Sequence, residues 1–211
     1  KVKEADDNGF LFIGANAVAR AIAKALISKN IPVILTDTSW ENIRAARMDN
    51  LRVYYGNPVS EHAENNLDFT GIDHMLAVSP HKQINTLSTY HYLDLMGEGH
   101  VLGLPEGDQE QRASHQSASK YVETRNQFEE SATFAKLASI ISKGATIKIT
   151  QLSAEFSFEA YLKQHGNRLT LLFAIRPDGV LVPLGRNGKQ APAENWELIS
   201  FIQPEETPAT E

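Results

Sequence analysis

The segment 9–37 limits the folds open to this chain more than any other part of it. It begins with four consecutive apolar residues, 10–13, and such a short run between two glycines is typical of a parallel strand buried on both faces. An amphipathic helix follows, and a second apolar run, 33–35, leads to Asp37. This order of strand, glycine turn, helix and strand is the layout of the dinucleotide-binding half of a Rossmann sheet. The acid roughly 20 residues beyond the turn belongs to the same layout.

The turn between the first strand and the helix predicts an anion site with an unusual sequence. Backbone N–H groups in the first helical turn lack partners within the helix, and the peptide dipoles add positive charge, so a phosphate is attracted there. In the usual Gly-x-Gly-x-x-Gly pattern, the second glycine makes room for a pyrophosphate and the third lets the helix approach the strand. Gly14, Asn16 and Ala19 occupy these positions. Because the Asn16 side chain projects into the pyrophosphate space and could also cap the helix, we expect a mononucleotide or no firmly bound ligand.

The composition excludes several classes of function. The chain has 211 residues, 42% of them hydrophobic, which is enough to bury a core. A net charge of −6 and the lack of a basic run disfavour nucleic acid as a partner. The absence of cysteine excludes disulfides, thiolate catalysis and cysteine-ligated metal. No apolar run approaches the roughly 20 residues that cross a bilayer, and no signal peptide precedes the first strand, so we expect a soluble chain. The sequence begins at Lys1 without an initiator methionine, so we expect either a fragment of something longer or a trimmed chain.

The alternation of strands and helices continues to residue 104. We predict strands at 51–55, 74–78 and 101–104, and helices at 39–50, 60–67 and 81–95. Ligands of such sheets bind where the strand order reverses, here between the first and fourth strands. Ser79 follows the fourth strand and is a candidate contact for ribose or phosphate, or alternatively a helix cap. The last of these helices should bury Ile84, Leu87 and Leu95. Its polar Asn85 could face the crevice.

The composition changes after Pro105 and predicts a second, smaller unit. Residues 106–128 are polar and rich in Gln and Ser, as in an exposed loop or linker. Beyond them we predict an α+β module with helices from 129 to Gly144 and at 157–164, and strands at 146–150, 169–175, 180–184 and 196–202. We therefore divide the chain into a Rossmann-like domain (1–105), a linker (106–128), the α+β module (129–203) and a disordered tail (204–211).

Aromatic residues of the smaller module have two interpretations. In the simpler interpretation, these residues form the hydrophobic core of the module. In the more specific one, they line a second ligand pocket or a dimer contact. They are Phe156, Phe158, Tyr161, Phe173 and Trp196.

Several motifs of the first half resemble one known family. They are Gly14-x-Asn16, Asp37, residues 55–58 (Tyr-Gly-Asn-Pro), and the strand 72–79 with the following helix that carries Asn85. Their order resembles the regulator-of-K⁺-conductance (RCK) domain, also called TrkA-N. Residues 38–47 and 54–58 are similar to the version at the cytosolic end of bacterial Na⁺(K⁺)/H⁺ antiporters. The resemblance covers residues 10 to about 104.

The resemblance implies a regulatory domain rather than an enzyme. Domains of this family form homodimers through the Rossmann unit and bind an adenine nucleotide in the crevice. A membrane transporter domain would be attached at the cytoplasmic face of the inner membrane. AMP is the ligand we favour, with NAD(H) or ATP as alternatives, and Asp37 argues against a 2′-phosphate. The binding positions implied for this chain are Gly14, Ala15, Asn16, Ala17, Asp37, Thr38, Gly56, Asn57 and Ser79. Relatives commonly have glycine, glycine and aspartate where this chain has Asn16, Ala19 and Asn57.

Two other functions stay open. An NAD-dependent oxidoreductase would need a proton-transferring pair, usually Tyr with Lys or His with Asp. The chain contains no Tyr-x-x-x-Lys, and no histidine has an acid at a telling spacing, so we expect neither a catalytic residue nor a metal site. A structural dimerisation module with a vestigial crevice would differ from a sensor only in ligand binding. For a sensor, Asp37→Ala should abolish the nucleotide response and leave folding nearly intact.

Overall fold

The computed structural model describes residues 8–107, 123–124, 126–185 and 191–205. The first sheet contains β1 (Gly9–Ile13), β2 (Val33–Asp37), β3 (Arg52–Tyr55), β4 (Ile72–Ala77) and β5 (Val101–Gly103). The helices between them are α1 (Ala17–Ser28), α2 (Trp40–Met48), α3 (Glu61–Asn66) and α4 (Lys82–Met96). The second half contains α5 (Phe134–Ser142), β6 (Thr146–Gln151), α6 (Phe158–His165), a 3₁₀ turn (Gly166–Arg168), β7 (Leu169–Ile175), β8 (Leu181–Pro183) and β9 (Glu197–Ile202).

The first sheet is parallel and has the strand order β3-β2-β1-β4-β5. All five residues of the central strand β1 are buried, as the unbroken apolar run predicts for a strand covered on both faces. The strand order reverses between β1 and β4, which is where open α/β sheets bind ligands. The prediction of a Rossmann-like parallel sheet is therefore confirmed.

The second sheet is antiparallel and has the order β6-β9-β7-β8. Strands β7 and β8 form a hairpin across residues 177–179, and Gly179 adopts φ +84° in its turn. The register of β7 against β9 shifts between Leu171 and Phe173, which is a β-bulge. A smaller α+β module after the parallel sheet is confirmed, whereas the four domain boundaries given above stay a prediction.

One hydrophobic core joins the two sheets. Helix α1 contacts β2 of the first half and α5 and β6 of the second half. Phe173 of β7 lies against Phe10 of β1, with ring centroids 6.1 Å apart, and against Phe128 at 5.2 Å. Lys29 Nζ forms an ion pair with Glu197 Oε1 at 2.5 Å across the same boundary. The second sheet is therefore packed directly on one face of the Rossmann unit.

Helix α4 is oriented differently from the prediction. Leu87 and Leu95, which we expected inside, are 59% and 64% exposed. The buried side of the helix is mostly polar and consists of Asn85, Ser88, Thr89 and Tyr92. Hydrogen bonds offset the cost of burying three of them. The hydroxyl of Tyr92 donates to the Pro58 carbonyl and that of Thr89 to the Asn85 carbonyl, both at 2.7 Å, and the Asn85 amide donates to the Ser79 carbonyl. Within the described part of the chain, the buried Ser88 Oγ has no hydrogen-bond partner. Apolar residues are consequently left on the outer side.

Two predicted features of the second half are also corrected. Helix α5 begins at Phe134 instead of 129, because the Thr133 hydroxyl caps it by accepting from the Lys136 N–H at 3.2 Å. Phe128, at the end of the predicted exposed linker, is only 1% exposed and belongs to the shared core. Most of that linker, residues 108–122, and the end of the predicted tail, residues 206–211, lie outside the described residues.

The aromatic residues of the second half do not form a single cluster. Tyr161 and Trp196 lie in one core, with Phe156 and Phe158 packed against it. Phe173 belongs to the core shared with the Rossmann unit. The bulge in β7 explains the difference, because it places the neighbouring residues Leu172 and Phe173 on the same face of the sheet.

Candidate functional site

The candidate crevice opens at the carboxyl ends of β1 and β4, and Gly14 forms its floor. Gly14 follows β1 with φ +119°, and its N–H donates to the Thr36 carbonyl at 2.8 Å. A Cβ atom at this position would lie 3.2 Å from both Cα and N of Ser79. Glycine is therefore required both by the backbone conformation and by the close approach of the segment after β4.

Asn16 occupies the space between the start of α1 and the end of β4. Its Oδ1 accepts from the Ala19 N–H at 3.0 Å and so caps the helix. Its Nδ2 donates to the Val78 carbonyl at 2.8 Å. The expectation that this side chain caps the helix is met, whereas its obstruction of the space for a pyrophosphate stays a prediction.

Ala19 lies in the first turns of α1, where the usual pattern has its third glycine. The residue is fully buried, and its methyl group packs in the core that is shared by both sheets. The extra methyl is thus accommodated by helix packing without blocking the crevice.

Asp37 ends β2 and ties the glycine turn to the start of α2. Its Oδ2 accepts from the Ala15 N–H and from Asn42 Nδ2, both at 2.9 Å. Its Oδ1 accepts from the Ser39 N–H at 2.8 Å. These three hydrogen bonds correct the expectation that Asp37→Ala leaves folding nearly intact, because the substitution would leave the two N–H groups and the amide without this acceptor.

Ser79 is positioned by Asn85 on the other side of the crevice. Asn85 is buried, its Oδ1 accepts from the Ser79 N–H at 3.2 Å, and its Nδ2 donates to the Ser79 carbonyl at 2.7 Å. Asn85 thus holds the backbone of Ser79 and does not face the crevice. The Ser79 Oγ accepts from the His81 N–H at 3.1 Å, and His81 holds the N-cap position of α4 without a side-chain capping bond, so Ser79 is not the cap of this helix.

The other predicted positions divide into two groups. The Gly56 N–H donates to the Asp37 carbonyl at 2.9 Å, so Gly56 lies beside the acid. Thr38 and Ala17 are exposed at the mouth of the crevice. Asn57 is exposed as well, and its Oδ1 accepts from the Val59 N–H at 3.0 Å to form a turn of its own. The structure therefore gathers the positions around Gly14, Asp37 and Ser79 and leaves Asn57 outside.

Two exposed aromatic residues next to Asp37 were not identified from the sequence. Trp40 is 51% and Tyr55 is 53% exposed, and their rings meet edge to face with centroids 5.6 Å apart. The Arg47 guanidinium carbon lies 5.2 Å from the centre of the Trp40 ring. The signal in the sequence is that Tyr55 ends β3 and Trp40 begins α2, so both belong to the carboxyl edge of the sheet.

Comparisons with known proteins give one family and several solved structures. The sequence profile of the TrkA-N domain matches residues 10–115, half of the chain. The NAD(P)-binding domain of an exopolyphosphatase-related protein from Archaeoglobus fulgidus is 16% identical, with 56% of this chain and 84% of that one covered and a TM-score of 0.43. No curated protein matches the chain.

Two further solved structures come from GsuK. The GsuK RCK domain is 14% identical, with 96% of this chain and 45% of that chain covered and a TM-score of 0.44. The GsuK channel bound to NAD is 15% identical, with 95% of this chain and 37% of that chain covered and a TM-score of 0.46. This chain therefore spans less than half the length of either GsuK structure.

The sequence profile and the fold agree on the first half of the chain. The matched segment contains the whole parallel sheet, the glycine turn at Gly14 and the acid at Asp37. Among the described residues, no helix has both the length and the apolar composition needed to span a bilayer. Because the profile match extends over half of its residues, the chain belongs to the TrkA-N domain family.

Proposed function

We propose that this TrkA-N domain is the nucleotide-sensing regulatory domain of a monovalent cation/proton antiporter and is not an enzyme. The observation that carries the proposal is the crevice at the reversal of strand order, where the start of α1, Asp37 and Ser79 meet. Its setting would be the cytoplasmic face of the bacterial inner membrane, where the domain would be linked to a membrane transporter domain.

The geometry favours a ligand with one phosphate and one adenosine group. The exposed Ala17 begins α1, so a phosphate beside it would meet free N–H groups and the positive end of the helix dipole. A carboxylate oxygen can accept two hydrogen bonds, so Asp37 Oδ1 can accept from a ribose hydroxyl besides Ser39. The exposed rings of Trp40 and Tyr55 offer an edge on which an adenine can stack.

AMP fits this arrangement better than a dinucleotide. The Asn16 amide takes the place of the pyrophosphate and is held by hydrogen bonds at both of its ends. Binding of NAD(H) or ATP would require this side chain to move and would forfeit those bonds. A monophosphate at the helix start makes no such demand.

Regulation would operate by population shift in a homodimer. A nucleotide biases the attached transporter only by the difference between its affinities for the two arrangements of the dimer. The outer side of α4 is a suitable dimer surface, because it exposes Leu87, Tyr90 and Leu95 to solvent. Burial of these side chains between two copies of the chain would stabilise the dimer.

The nucleotide site is tested by a charge substitution at the start of α1. The thermal unfolding midpoint is measured with AMP, ADP, ATP, NAD⁺ and NADH, and at least one nucleotide should raise it. In Ala17→Glu the nucleotide response should disappear, because the carboxylate repels a phosphate, whereas the helix itself is stabilised by an acid in its first turn. The matched control Ala17→Gln has the same side-chain size without the charge and should keep the response.

One observation favours a second candidate, a dimerisation module with a vestigial crevice. Asn16 and the close approach of Ser79 to Gly14 fill much of the space that a phosphate chain would use. A flat thermal response of the unmodified chain to all five nucleotides would support this candidate and contradict sensing. Hydride transfer from NADH to a small carbonyl compound would instead support an oxidoreductase.

A further inference from the structure

Three side chains with metal-binding groups meet at the edge of the parallel sheet opposite the crevice. Asp73 and His74 lie near the start of β4, and His100 directly precedes β5. The Met75 N–H donates to the His100 carbonyl at 2.9 Å, which places His74 and His100 side by side on neighbouring strands. One ligand atom from each of the three residues lies within 4.8 Å of the other two.

The Asp73 carboxylate lies beside the Nδ1 atoms of both imidazole rings. His74 Nδ1 is 2.5 Å from Asp73 Oδ1, and His100 Nδ1 is 3.7 Å from Asp73 Oδ2. His100 Nδ1 also lies 3.0 Å from the backbone carbonyl oxygen of Asp73. The two histidine rings face each other with centroids 4.7 Å apart. Two imidazoles and one carboxylate thus converge on a single region at the amino ends of the strands.

We propose that Asp73, His74 and His100 bind a divalent transition-metal ion of the zinc class. Zinc takes imidazole nitrogen and carboxylate oxygen as ligands and prefers a tetrahedral arrangement, in which a water completes a set of three protein ligands. Ligand atoms around such an ion are separated by roughly 3.4 Å. His74 Nδ1 and Asp73 Oδ1, which are 2.5 Å apart, therefore have to separate, while the more distant ligand atoms, which lie within 4.8 Å of one another, have to approach. Small side-chain rotations would make this adjustment, and all three residues lie partly at the surface.

The surroundings prepare the histidines for this role. The ring of His74 stacks on Phe10, with centroids 4.9 Å apart and an interplanar angle of 24°, which fixes its orientation. An entry path exists as well, because the His100 side chain is 42% exposed.

A bound ion would connect the turn before β5 to the start of β4. This connection lies at the opposite end of β4 from Ser79, so the ion would not touch the proposed nucleotide site. The proposal is therefore independent of nucleotide sensing. Metal binding to the folded chain alone would raise its free energy of unfolding by mass action.

The test is a calorimetric titration of the whole chain with zinc chloride. We expect one ion per chain, and a drop in affinity of about tenfold or more in Asp73→Asn, His74→Gln and His100→Gln. The matched control is His81→Gln, which removes an exposed histidine whose side chain does not cap α4. The control should keep the affinity of the unmodified chain, and zinc should raise its thermal unfolding midpoint equally.

Three results would overturn the proposal. They are the absence of saturable zinc binding to the unmodified chain, an unchanged affinity in His100→Gln, and an equal loss of affinity in His81→Gln. Circular dichroism shows whether each variant folds. Should His74→Gln unfold because the ring on Phe10 is lost, the half-exposed His100→Gln decides the question alone.

Discussion

The Asn16 side chain both stabilises the glycine turn and limits the space that is left for a ligand. Its carbonyl oxygen caps α1 and its amide nitrogen holds the Val78 carbonyl, so it joins a helix start to a strand end. A glycine would supply neither bond but would open the crevice. The stability of the turn and the room for a phosphate chain are therefore in conflict at this residue.

Asn16→Gly should separate these two effects. We expect the free energy of unfolding to fall by about 1–2 kcal/mol, since a few tenths are lost with the cap and about 1 with the hydrogen bond to Val78. Affinity for ADP and NAD⁺ should rise, because the space for a pyrophosphate becomes free. Urea unfolding and calorimetric titration measure the two quantities.

Asn16→Ser is the matched variant for this residue. Serine keeps the capping oxygen and removes the amide donor, so it should lose only the bond to Val78 and give intermediate affinities. Weaker nucleotide binding in Asn16→Gly than in the unmodified chain would contradict the steric argument. It would show that the Asn16 amide contributes to binding.

At the scale of elements, α4 is unusual because its polar side is buried. Asn85 and Tyr92 have hydrogen-bond partners in the segments after β4 and β3, which offsets the cost of their burial. The apolar side chains Leu87 and Leu95 are left in contact with water. A surface of this kind is typical of a contact with another protein.

The double substitution Leu87→Lys and Leu95→Lys tests the proposal that α4 forms a dimer surface. We expect the unmodified chain to be a dimer and the variant to be a monomer, because each copy would have to bury two charges, while the exposed positions leave the helix content unchanged. Light scattering after size exclusion gives the mass, and circular dichroism checks the fold. Leu162→Lys is the control, since Leu162 is 39% exposed on α6 and its change should leave the dimer intact. A dimer that survives the double substitution would exclude α4 as the contact.

At the scale of the whole molecule, the two sheets depend on one core. Helix α1 has six buried residues and contacts both halves, and Phe10 and Phe173 meet across the boundary. Two units that share apolar residues to this extent are expected to unfold together. If one unfolded alone, the other would expose its apolar side of the core to water, which is unfavourable.

Urea unfolding should therefore show a single transition. In a Trp40→Phe background the fluorescence of the buried Trp196 reports on the second half, and circular dichroism reports on the whole chain. Both midpoints should coincide. Leu26→Ala, at a fully buried position of α1, should lower both midpoints equally, at a cost of about 2–5 kcal/mol. A second transition seen by only one probe would show that the halves unfold separately.

Local patterns in the sequence were sufficient for most of the fold. The glycine turn at Gly14, the helical spacing in α1 and the unbroken apolar strand β1 predict the Rossmann unit, and its strand order follows. The orientation of α4 could not be predicted, because the partner of Tyr92 is Pro58, which lies 34 residues away, and because no apolar pattern shows that Asn85 bonds to Ser79 before the helix. The periodicity of apolar residues does not show which polar side chains have a hydrogen-bond partner in the fold. It therefore assigns all polar residues of a helix to the exposed side.

Other features depend on contacts that no local pattern contains. The bulge in β7 turns Phe173 towards the Rossmann unit, and strict alternation would have kept it with Tyr161. In the candidate site, the positions of Gly14, Asp37 and Ser79 were predictable, but the three bonds of Asp37 were not. His100 lies 27 residues from Asp73, and only the pairing of β4 with β5 brings the two together.

The shared core has a practical consequence for anyone who dissects this chain. A piece cut after β5 would carry an intact parallel sheet, yet the outer flank of α1 and the ring of Phe10 would be stripped of their covering. Such a piece would aggregate in concentrated solution, because exposed apolar surfaces of this kind associate with one another. Experiments on the crevice therefore need the antiparallel sheet as well, because it covers the apolar side of the Rossmann unit.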